Sequence, residues 1–145
     1  MENNLLYHVY FDCGLTTKEE VHTFISEMVC QEDPSQQEEI INQLNDRDMA
    51  GSTLIAEHVM LPHIESDKIK KSQIMFIRLA NPILSWNWQT KDIRLLIVIL
   101  LKENEDEQVK KRISSFTRTL ADEAYLSRLL NCSDEETLNK EIKKT

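Results

Sequence analysis

The stretch that decides the fold is DRDMAGSTLIAEHVMLPHI, residues 46–64, in which a Gly-Ser-Thr turn leads into an apolar run. The run closes with Pro62 and, directly after it, His63. Because proline has no amide hydrogen and biases Leu61 toward an extended conformation, a strand up to Leu61 is predicted to end near His63. A side chain at a strand end faces solvent or a cleft with a rigid sheet behind it, so His63 is a candidate site residue.

The four histidines of the chain differ in their predicted surroundings. A neutral imidazole is a nucleophile near pH 7, and phosphohistidine is one covalent intermediate that it forms. Most histidines, however, are surface groups or hydrogen-bonded core groups. We interpret His8 as a strand residue and His22 as a neighbour of a helix's apolar stripe. His58 lies an odd number of residues from His63 and faces the other way on a regular strand, so we interpret it as structural.

The composition of the 145-residue chain predicts one soluble domain over residues 1–145. A chain of this length buries about two thirds of the surface that its unfolded form exposes, which allows a proper core. The net charge is −8 and no face is obviously basic. This disfavours a direct nucleic-acid role, because phosphate contacts need clustered Lys and Arg. The acidity indicates solubility or a surface offered to a basic partner.

The cysteines and the apolar segments indicate a cytoplasmic protein. Cys13, Cys30 and Cys132 are widely spaced and form no CxxC pair, so neither a disulfide framework nor a zinc site is predicted. The start of the chain lacks the basic and long apolar segments of a signal peptide. The most apolar run, residues 93–101, is too short to span a bilayer and is typical of a buried strand. We therefore expect no membrane insertion.

The first third of the chain predicts a strand followed by two helices. Residues 5–11 are rich in β-branched and aromatic side chains, which favour a strand. Residues 16–29 carry one apolar stripe, and either threonine at their start can cap a helix. Asp33 is the predicted cap of a second helix with Pro34 at its first position, and its apolar pattern fades at Asn45.

The middle of the chain is predicted to be extended and the last third helical. Short strands are expected at 53–55, 58–62, 73–79 and 93–101. Residues 81–92 are expected to form a loop, because Asn-Pro is a turn signal. Apolar residues 4, 3 and 4 apart join Val109 to Leu120 in one helix, which 121–130 continues or restarts. A short last helix has Ser133 as its predicted cap. Helices and strands in this order predict one α/β or α+β domain.

Arg47, the Gly-Ser-Thr turn that ends at Thr53, and Pro62-His63 form one frame, with 16 residues from Arg47 to His63. This frame resembles the fructose/mannitol-type enzyme IIA domain of the bacterial phosphoenolpyruvate-dependent sugar phosphotransferase system. That family has a pattern close to R-E-x-x-G-S-T and an apolar run ending in A-[IV]-P-H. The stretches TTKEEVHTFISEMV, KDIRLLIVILL and ISSFTRTLADEAYLSRLL resemble its first helix, central strand and late helical segment.

The resemblance implies a mixed β-sheet flanked by helices, with His63 in a shallow depression. It also implies that His63 accepts a phosphoryl group from the phosphocarrier HPr and passes it to a IIB domain, without metal or cofactor. Arg47 matches the family arginine that stabilises phosphoryl charge; the alternative is a surface salt bridge to Asp46 or Asp48. Thr53 matches the threonine whose hydroxyl bonds the imidazole or the phosphate; the alternative is simple β-propensity.

Three departures from the family pattern favour a second interpretation. Ala-Glu-His at 56–58 replaces a glycine-rich step, and Ile64 stands where the family has a small residue. Many members carry a second histidine near the position of Gln108 or Val109, where this chain has none. If the acidic residues there faced His63, they would repel a phosphoryl group; we expect a solvated helix start instead.

Such departures are expected in IIA-like regulatory domains of sugar-responsive transcription regulators and antiterminators. There, phosphorylation or binding signals sugar availability without transport, and the partner is a regulator or an attached domain. A third alternative is a domain that is never phosphorylated and acts by binding alone. Trp86 is expected to pack over a sheet edge, and for Trp88 both packing and a partner contact stay open.

Overall fold

The computed structural model describes residues 6–144 and contains a six-stranded mixed sheet between two layers of helices. The strands are β1 (Tyr7–Cys13), β2 (Leu54–Ala56), β3 (Val59–Met60), β4 (His63–Ser66), β5 (Gln73–Ser85) and β6 (Lys91–Lys102). The helices are α1 (Lys18–Val29), α2 (Gln37–Ala50), α3 (Glu107–Thr119), α4 (Glu123–Asn131) and α5 (Glu135–Lys143), with a 3-10 turn over Pro34–Gln36. This architecture confirms the predicted mixed sheet flanked by helices.

The strand order is β1-β5-β6-β3-β2, and β4 also pairs with β6. β5 and β6 form the long antiparallel centre, while β1 lies parallel to β5 and both β3 and β4 lie parallel to β6. Because a strand in the middle of a sheet is covered on both faces, its residues are almost all apolar. This accounts for the continuous apolar run of β6, whose residues 95–100 are all buried.

Alternate residues of the central strands enter two separate cores. One face of the sheet packs on α1 and α2 through Met75, Ile77, Leu96, Val98 and Leu100. The other face packs on α3, α4 and α5 through Ile74, Phe76, Leu95, Ile97 and Ile99. The two helical layers therefore hold the sheet rigid, and the end of α2 comes to lie against β4.

The strand prediction around Pro62 was wrong in one respect, because His63 begins a strand and does not follow the end of one. Val59 pairs with Leu95 and His63 pairs with Ile99, so the same offset of 36 residues (95 − 59 and 99 − 63) holds on both sides of the proline. The ladder lapses at residues 61–62, where Pro62 has no N–H to donate, and then resumes in register. β3 and β4 thus continue one line along β6.

The loop predicted at 81–92 was also wrong. β5 runs on to Ser85 and β6 begins at Lys91, so the connection is confined to residues 86–90. The register of the β5–β6 pair shifts between Arg78 and Ile83, and Pro82 falls in this irregular stretch. A bulge tolerates proline because the ladder bond is already missing there.

The second helix extends five residues beyond the predicted fading point at Asn45 and ends at Ala50. Its last turn adds Arg47 and Asp48 beyond the apolar stripe, and the helix ends at Gly51, whose φ is 155°. Asp33 caps the short 3-10 turn, and α2 follows directly from that turn. The extension carries Arg47 on the final turn of α2.

The other helix boundaries differ little from the predictions. Thr17 caps α1 by accepting from the Glu20 N–H at 3.1 Å. The segment after α3 restarts as a separate helix, α4. Asp134, and not Ser133, caps α5, because its carboxylate accepts from the Thr137 N–H at 2.7 Å. β1 extends to Cys13, beyond the predicted end, and the predicted first residue of this strand, at position 5, lies outside the described residues.

Candidate functional site

The candidate site lies where the last turn of α2 meets the first residue of β4. Arg47 Nε is 3.4 Å from His63 Nε2, and Arg47 Nη1 donates to the Gly51 carbonyl at 3.1 Å. The His63 side chain is exposed and Arg47 is half-buried. The structure thus brings together the histidine and the arginine that the sequence pattern joined across 16 residues.

The protonation of the His63 ring follows from its second nitrogen. Nδ1 lies 2.9 Å from the Leu61 carbonyl oxygen, which can only accept, so Nδ1–H is the donor of the neutral ring. Nε2 then carries the lone pair, and it points toward the guanidinium of Arg47. The lone pair accepts from Arg47 Nε–H at 3.4 Å, so on this exposed ring a nucleophilic nitrogen lies next to a group that binds anionic oxygens.

The predicted alternative for Arg47 does not occur within residues 6–144, where it forms no ion pair with Asp46 or Asp48. The Asp48 carboxylate is turned away and is held by two other groups. Trp86 Nε1 donates to Asp48 Oδ1 at 2.9 Å, and Lys18 Nζ is 3.5 Å from Asp48 Oδ2. The guanidinium of Arg47 is therefore left to His63 and Gly51.

Thr53 is buried beneath the site, and its carbonyl accepts from the Leu61 N–H at 2.8 Å. Among the described residues its hydroxyl makes no hydrogen bond with His63. The backbone bond fixes the Gly-Ser-Thr turn against the residues that precede His63. The proposed hydroxyl role of Thr53 stays a prediction.

The floor of the site is closely packed. A cavity of about 10 Å³ remains there, near the lower limit for one water molecule. Its lining includes the side chains of His22, Arg47, Asp48, Thr53, Pro62 and Trp86. The rings of His22 and Trp86 meet edge to face with centroids 5.6 Å apart. Burial lowers the pKa of His22, whose Nδ1 lies 3.1 Å from Asn45 Oδ1, so this histidine is a neutral core group at pH 7.

His8, His58 and Trp88 lie outside this cluster. His8 belongs to β1, as predicted. His58 is not on a regular strand but in a turn, with a φ of 74°, and its Nδ1 bonds the Asp92 carbonyl at 2.9 Å. Trp86 is 4% exposed and packs as predicted, while Trp88 is 81% exposed. Sequence reasoning considered Asp48 only as an ion-pair partner of Arg47 and missed its contacts with Trp86 and Lys18, because those residues come from distant segments.

The acidic stretch after β6 forms an exposed helix start, as predicted. Asp106 caps α3 by accepting from the Gln108 N–H at 2.7 Å, and Gln108 is exposed. No group of three or more His, Cys, Asp or Glu residues in the described part of the chain is arranged to hold a metal ion. No helix between residues 6 and 144 has the length and apolarity needed to cross a membrane.

Fold and site define a class: mixed-sheet domains with helices on both faces and a solvent-facing histidine beside an arginine. Residues 7–145 match the family described as phosphoenolpyruvate-dependent sugar phosphotransferase system, EIIA 2. The chain belongs to this family, which confirms the resemblance noted in its sequence.

Two curated relatives are multiphosphoryl transfer proteins. The Escherichia coli K12 protein is 29% identical over 108 residues, which cover 74% of this chain and 12% of that protein. The Shigella flexneri protein is 28% identical over 108 residues, with the same coverage of 74% and 12%. The chain thus spans only 12% of the length of these relatives.

Solved structures confirm the fold. Nitrogen regulatory protein IIA-Ntr from Neisseria meningitidis superposes with a TM-score of 0.77 at 18% identity, covering 98% of this chain and 99% of that one. IIA mannitol from Escherichia coli gives 0.67 at 23% identity, covering 93% and 95%. Enzyme IIAMtl in its complex with phosphorylated enzyme IIBMtl, also from Escherichia coli, gives 0.69 at 21% identity, covering 97% and 100%.

Proposed function

We propose that this domain is a phosphocarrier in which His63 accepts a phosphoryl group from the phosphohistidine of HPr and passes it to a IIB domain. The observation that carries the proposal is the tautomer of the His63 imidazole and the hydrogen bonds of its two nitrogens. Its Nδ1–H is bound to the Leu61 carbonyl, and its Nε2, on an exposed ring, accepts only the long 3.4 Å hydrogen bond from Arg47 Nε–H. A ring fixed in this way has one available nucleophilic atom in a defined direction.

The transfer step balances without any added reactant. The Nε2 lone pair of His63 forms a new N–P bond while the N–P bond of the donor phosphohistidine breaks, and that bond's electron pair returns to the donor ring nitrogen. No proton leaves His63, because Nε2 carries none, and Nδ1–H keeps its bond to Leu61. The onward step to a IIB nucleophile breaks the Nε2–P bond in the same manner. Alignment and charge stabilisation are then the protein's main tasks.

Arg47 is the group proposed to stabilise the phosphoryl charge. Its Nε is 3.4 Å from Nε2, so a phosphoryl group on Nε2 has its oxygens within reach of the guanidinium. The bond to the Gly51 carbonyl limits the motion of that guanidinium. Thr53, which is buried on the wall of the same cavity, is proposed to offer its hydroxyl to a phosphoryl oxygen.

Exposed apolar side chains close to the site residues in sequence support a protein donor. Met49 is 83% exposed two residues after Arg47, and Leu54 is 45% exposed directly after Thr53. Large exposed apolar side chains next to a reactive group are typical of a protein contact. The net charge of −8 favours a partner with a basic surface.

The alternative is a regulatory IIA-like domain of a transcription regulator or antiterminator. Gln108 favours it, because many family members have a histidine near this position. In that case His63 is still phosphorylated, but the phosphoryl group is a signal and is not passed on. Onward transfer therefore distinguishes the two functions.

The first test is the intact mass of the domain after incubation with phosphoenolpyruvate, enzyme I and HPr. We expect a gain of one acid-labile phosphoryl group, lost in His63→Ala and retained in His58→Gln, a matched histidine control outside the site. No gain in the unmodified chain, or an unchanged gain in His63→Ala, contradicts the proposal.

A phosphoryl chase experiment then distinguishes the phosphocarrier from the regulatory domain. The phosphorylated domain is mixed with IIB domains of the fructose and mannitol types, and the phosphoryl group is followed on both proteins. Transfer to a IIB domain supports the carrier. A phosphoryl group that stays on His63 with every IIB domain supports the regulatory alternative.

A further inference from the structure

Asp48, the residue after Arg47, links three separate segments of the chain. Its side chain is 10% exposed although it lies in the last turn of a surface helix. Trp86, in the turn between β5 and β6, donates its indole N–H to Asp48 Oδ1 at 2.9 Å, and Lys18 at the start of α1 is 3.5 Å from Oδ2. A buried carboxylate with two donors is a strong anchor, since charge-assisted hydrogen bonds exceed neutral ones in strength.

This anchor acts on the end of α2, which is otherwise free to fray. Helix ends leave their last carbonyls without helical partners, and Gly51 terminates α2 with its N–H on the Asp48 carbonyl at 3.4 Å. Arg47 and Asp48 are neighbours in that last turn, so a shift of one moves the other. The Arg47–His63 contact of 3.4 Å is already long for a hydrogen bond and is lost with a small displacement.

The side chains beneath Asp48 are closely packed, so they have little space to move when a neighbour changes. Trp86 is 4% exposed, and its ring meets the ring of His22, which is 2% exposed. The remaining cavity of about 10 Å³ lies between these rings and Arg47, Thr53 and Pro62. Interiors packed to this density transmit a change in one side chain to its neighbours.

We propose that Asp48 and Trp86 are positioning residues, which hold the end of α2 so that Arg47 faces Nε2 of His63. The proposal rests on the proposed phosphocarrier function and adds two residues that touch neither His63 nor a phosphoryl group. Their proposed effect passes through Arg47, and this makes it separable from that of a residue that only stabilises the fold.

The first experiment compares rates of phosphoryl transfer from phosphorylated HPr by rapid quench. Trp86→Phe keeps most of the ring but removes the indole N–H, and Asp48→Ala removes its acceptor. We expect both to lower the maximal rate by about 10- to 100-fold, the cost of a misplaced reacting group. The donor concentration at half-saturation stays unchanged. Asp48→Asn keeps an acceptor oxygen for Trp86, so it restores the rate to within about threefold of the unmodified chain.

Ile74→Val is the matched stability control. It removes one methylene from the core on the other face of the sheet, and it leaves the maximal rate unchanged while it lowers the unfolding midpoint. The proposal is overturned if Trp86→Phe transfers at the normal rate, or if its loss of rate only follows its loss of stability as in Ile74→Val.

A double-mutant cycle tests whether Trp86 acts through Arg47. In an Arg47→Gln background, Trp86→Phe should cause no further loss beyond about twofold, because the group that it positions is gone. Additive losses overturn the proposal.

A third measurement does not depend on phosphoryl transfer. The ¹⁵N chemical shift of His63 Nε2 in the unphosphorylated domain should move in Trp86→Phe toward its value in Arg47→Gln. An unchanged shift overturns the positioning role. If the unmodified chain accepts no phosphoryl group at all, the phosphocarrier function fails, and this chemical shift still decides the inference.

Discussion

His58 and His63 are five residues apart, and the structure uses the two rings differently. In both, Nδ1 bonds a backbone carbonyl at 2.9 Å, that of Asp92 for His58 and that of Leu61 for His63. Around His58 two carboxylates come close, with Asp92 Oδ2 3.2 Å from Nδ1 and Glu57 Oε1 3.9 Å from Nε2, and Arg94 pairs with that Asp92 oxygen at 3.1 Å. Around His63 the neighbour is the guanidinium of Arg47.

Under the proposed function, the charge beside Nε2 separates the imidazole that is proposed to react from the structural one. Hydrogen bonds from Arg94, together with its positive charge, lower the pKa of Asp92, so His58 sits beside a firmly ionised carboxylate. A phosphoryl group on His58 would lie beside the carboxylates of Glu57 and Asp92, whereas one on His63 would lie beside the guanidinium of Arg47. Exposure adds to the difference, because the His58 side chain is 19% exposed while His63 is open to solvent.

The largest expected effect comes from giving His63 the electrostatic surroundings of His58. Arg47→Glu should lower the rate of phosphoryl acceptance by roughly 1,000-fold or more, since loss of one charge-stabilising donor costs about 10²–10³ and the new carboxylate adds repulsion. The measurement is the single-turnover rate with phosphorylated HPr.

Two further variants at this position serve as controls. Arg47→Gln, which is neutral, should be intermediate, and Arg47→Lys, which keeps the charge but loses the planar fork, should be the least affected. If Arg47→Glu accepted phosphoryl groups as fast as Arg47→Lys, the electrostatic contrast between the two histidines would be irrelevant to reactivity.

A smaller effect concerns His22, which extends the comparison to a fully buried ring. Burial lowers its pKa, although Asp48 and the bond with Asn45 act in the opposite direction. The unfolded chain therefore binds a proton more readily than the folded one between the lowered pKa and the ordinary value of 6.5. Within this window, stability falls as pH falls, by at most about 1.4 kcal/mol per pH unit for one proton.

The test is the free energy of unfolding in urea, measured between pH 7.5 and pH 5.5, for the unmodified chain and for His22→Gln. The other three histidines are present in both proteins, so the difference between the two slopes reports on His22. A shallower slope is expected in the variant, and equal slopes would contradict the prediction.

The smallest expected effect is that of His58→Asn. Asparagine tolerates the positive φ of 74° at this turn, and it loses the ring's bond to the Asp92 carbonyl, so we expect a stability loss of about 1 kcal/mol. The rate of phosphoryl acceptance should stay within about twofold of the unmodified chain. A large loss of rate with a normal unfolding midpoint would show that His58 takes part in the transfer. It would contradict the distinction between a structural His58 and a reactive His63.

The features that were predicted correctly from the sequence depend on residues that are close to one another in the chain. The apolar stripe of α1, its threonine cap and the acidic start of α3 depend on residues within a few positions of one another. The continuous apolar run of β6 predicted a buried central strand, and the wider pattern from Arg47 to His63 identified the family. These are properties of spacing, and spacing is visible in a sequence.

The errors arose where distant segments override a local signal. Pro62 looked like the end of a strand, but β6 offers the same line of pairing on both sides of it, and the ladder resumes at His63. Asn-Pro at 81–82 looked like a loop, but the β5–β6 pair absorbs the proline in a bulge. In both cases, pairing with a neighbouring strand kept the chain extended although the proline locally disfavours a strand.

The sequence by itself therefore determined the layered fold, the family and the pair Arg47 and His63, because these rest on periodicity and on a frame of fixed spacing. Only the tertiary structure decided how the pair is held. Asp48 meets Trp86 across 38 residues and Lys18 across 30, and no pattern in the chain connects them. The physical reason is that these bonds join side chains that come together only where α1 and α2 pack beside the turn of the β5–β6 hairpin.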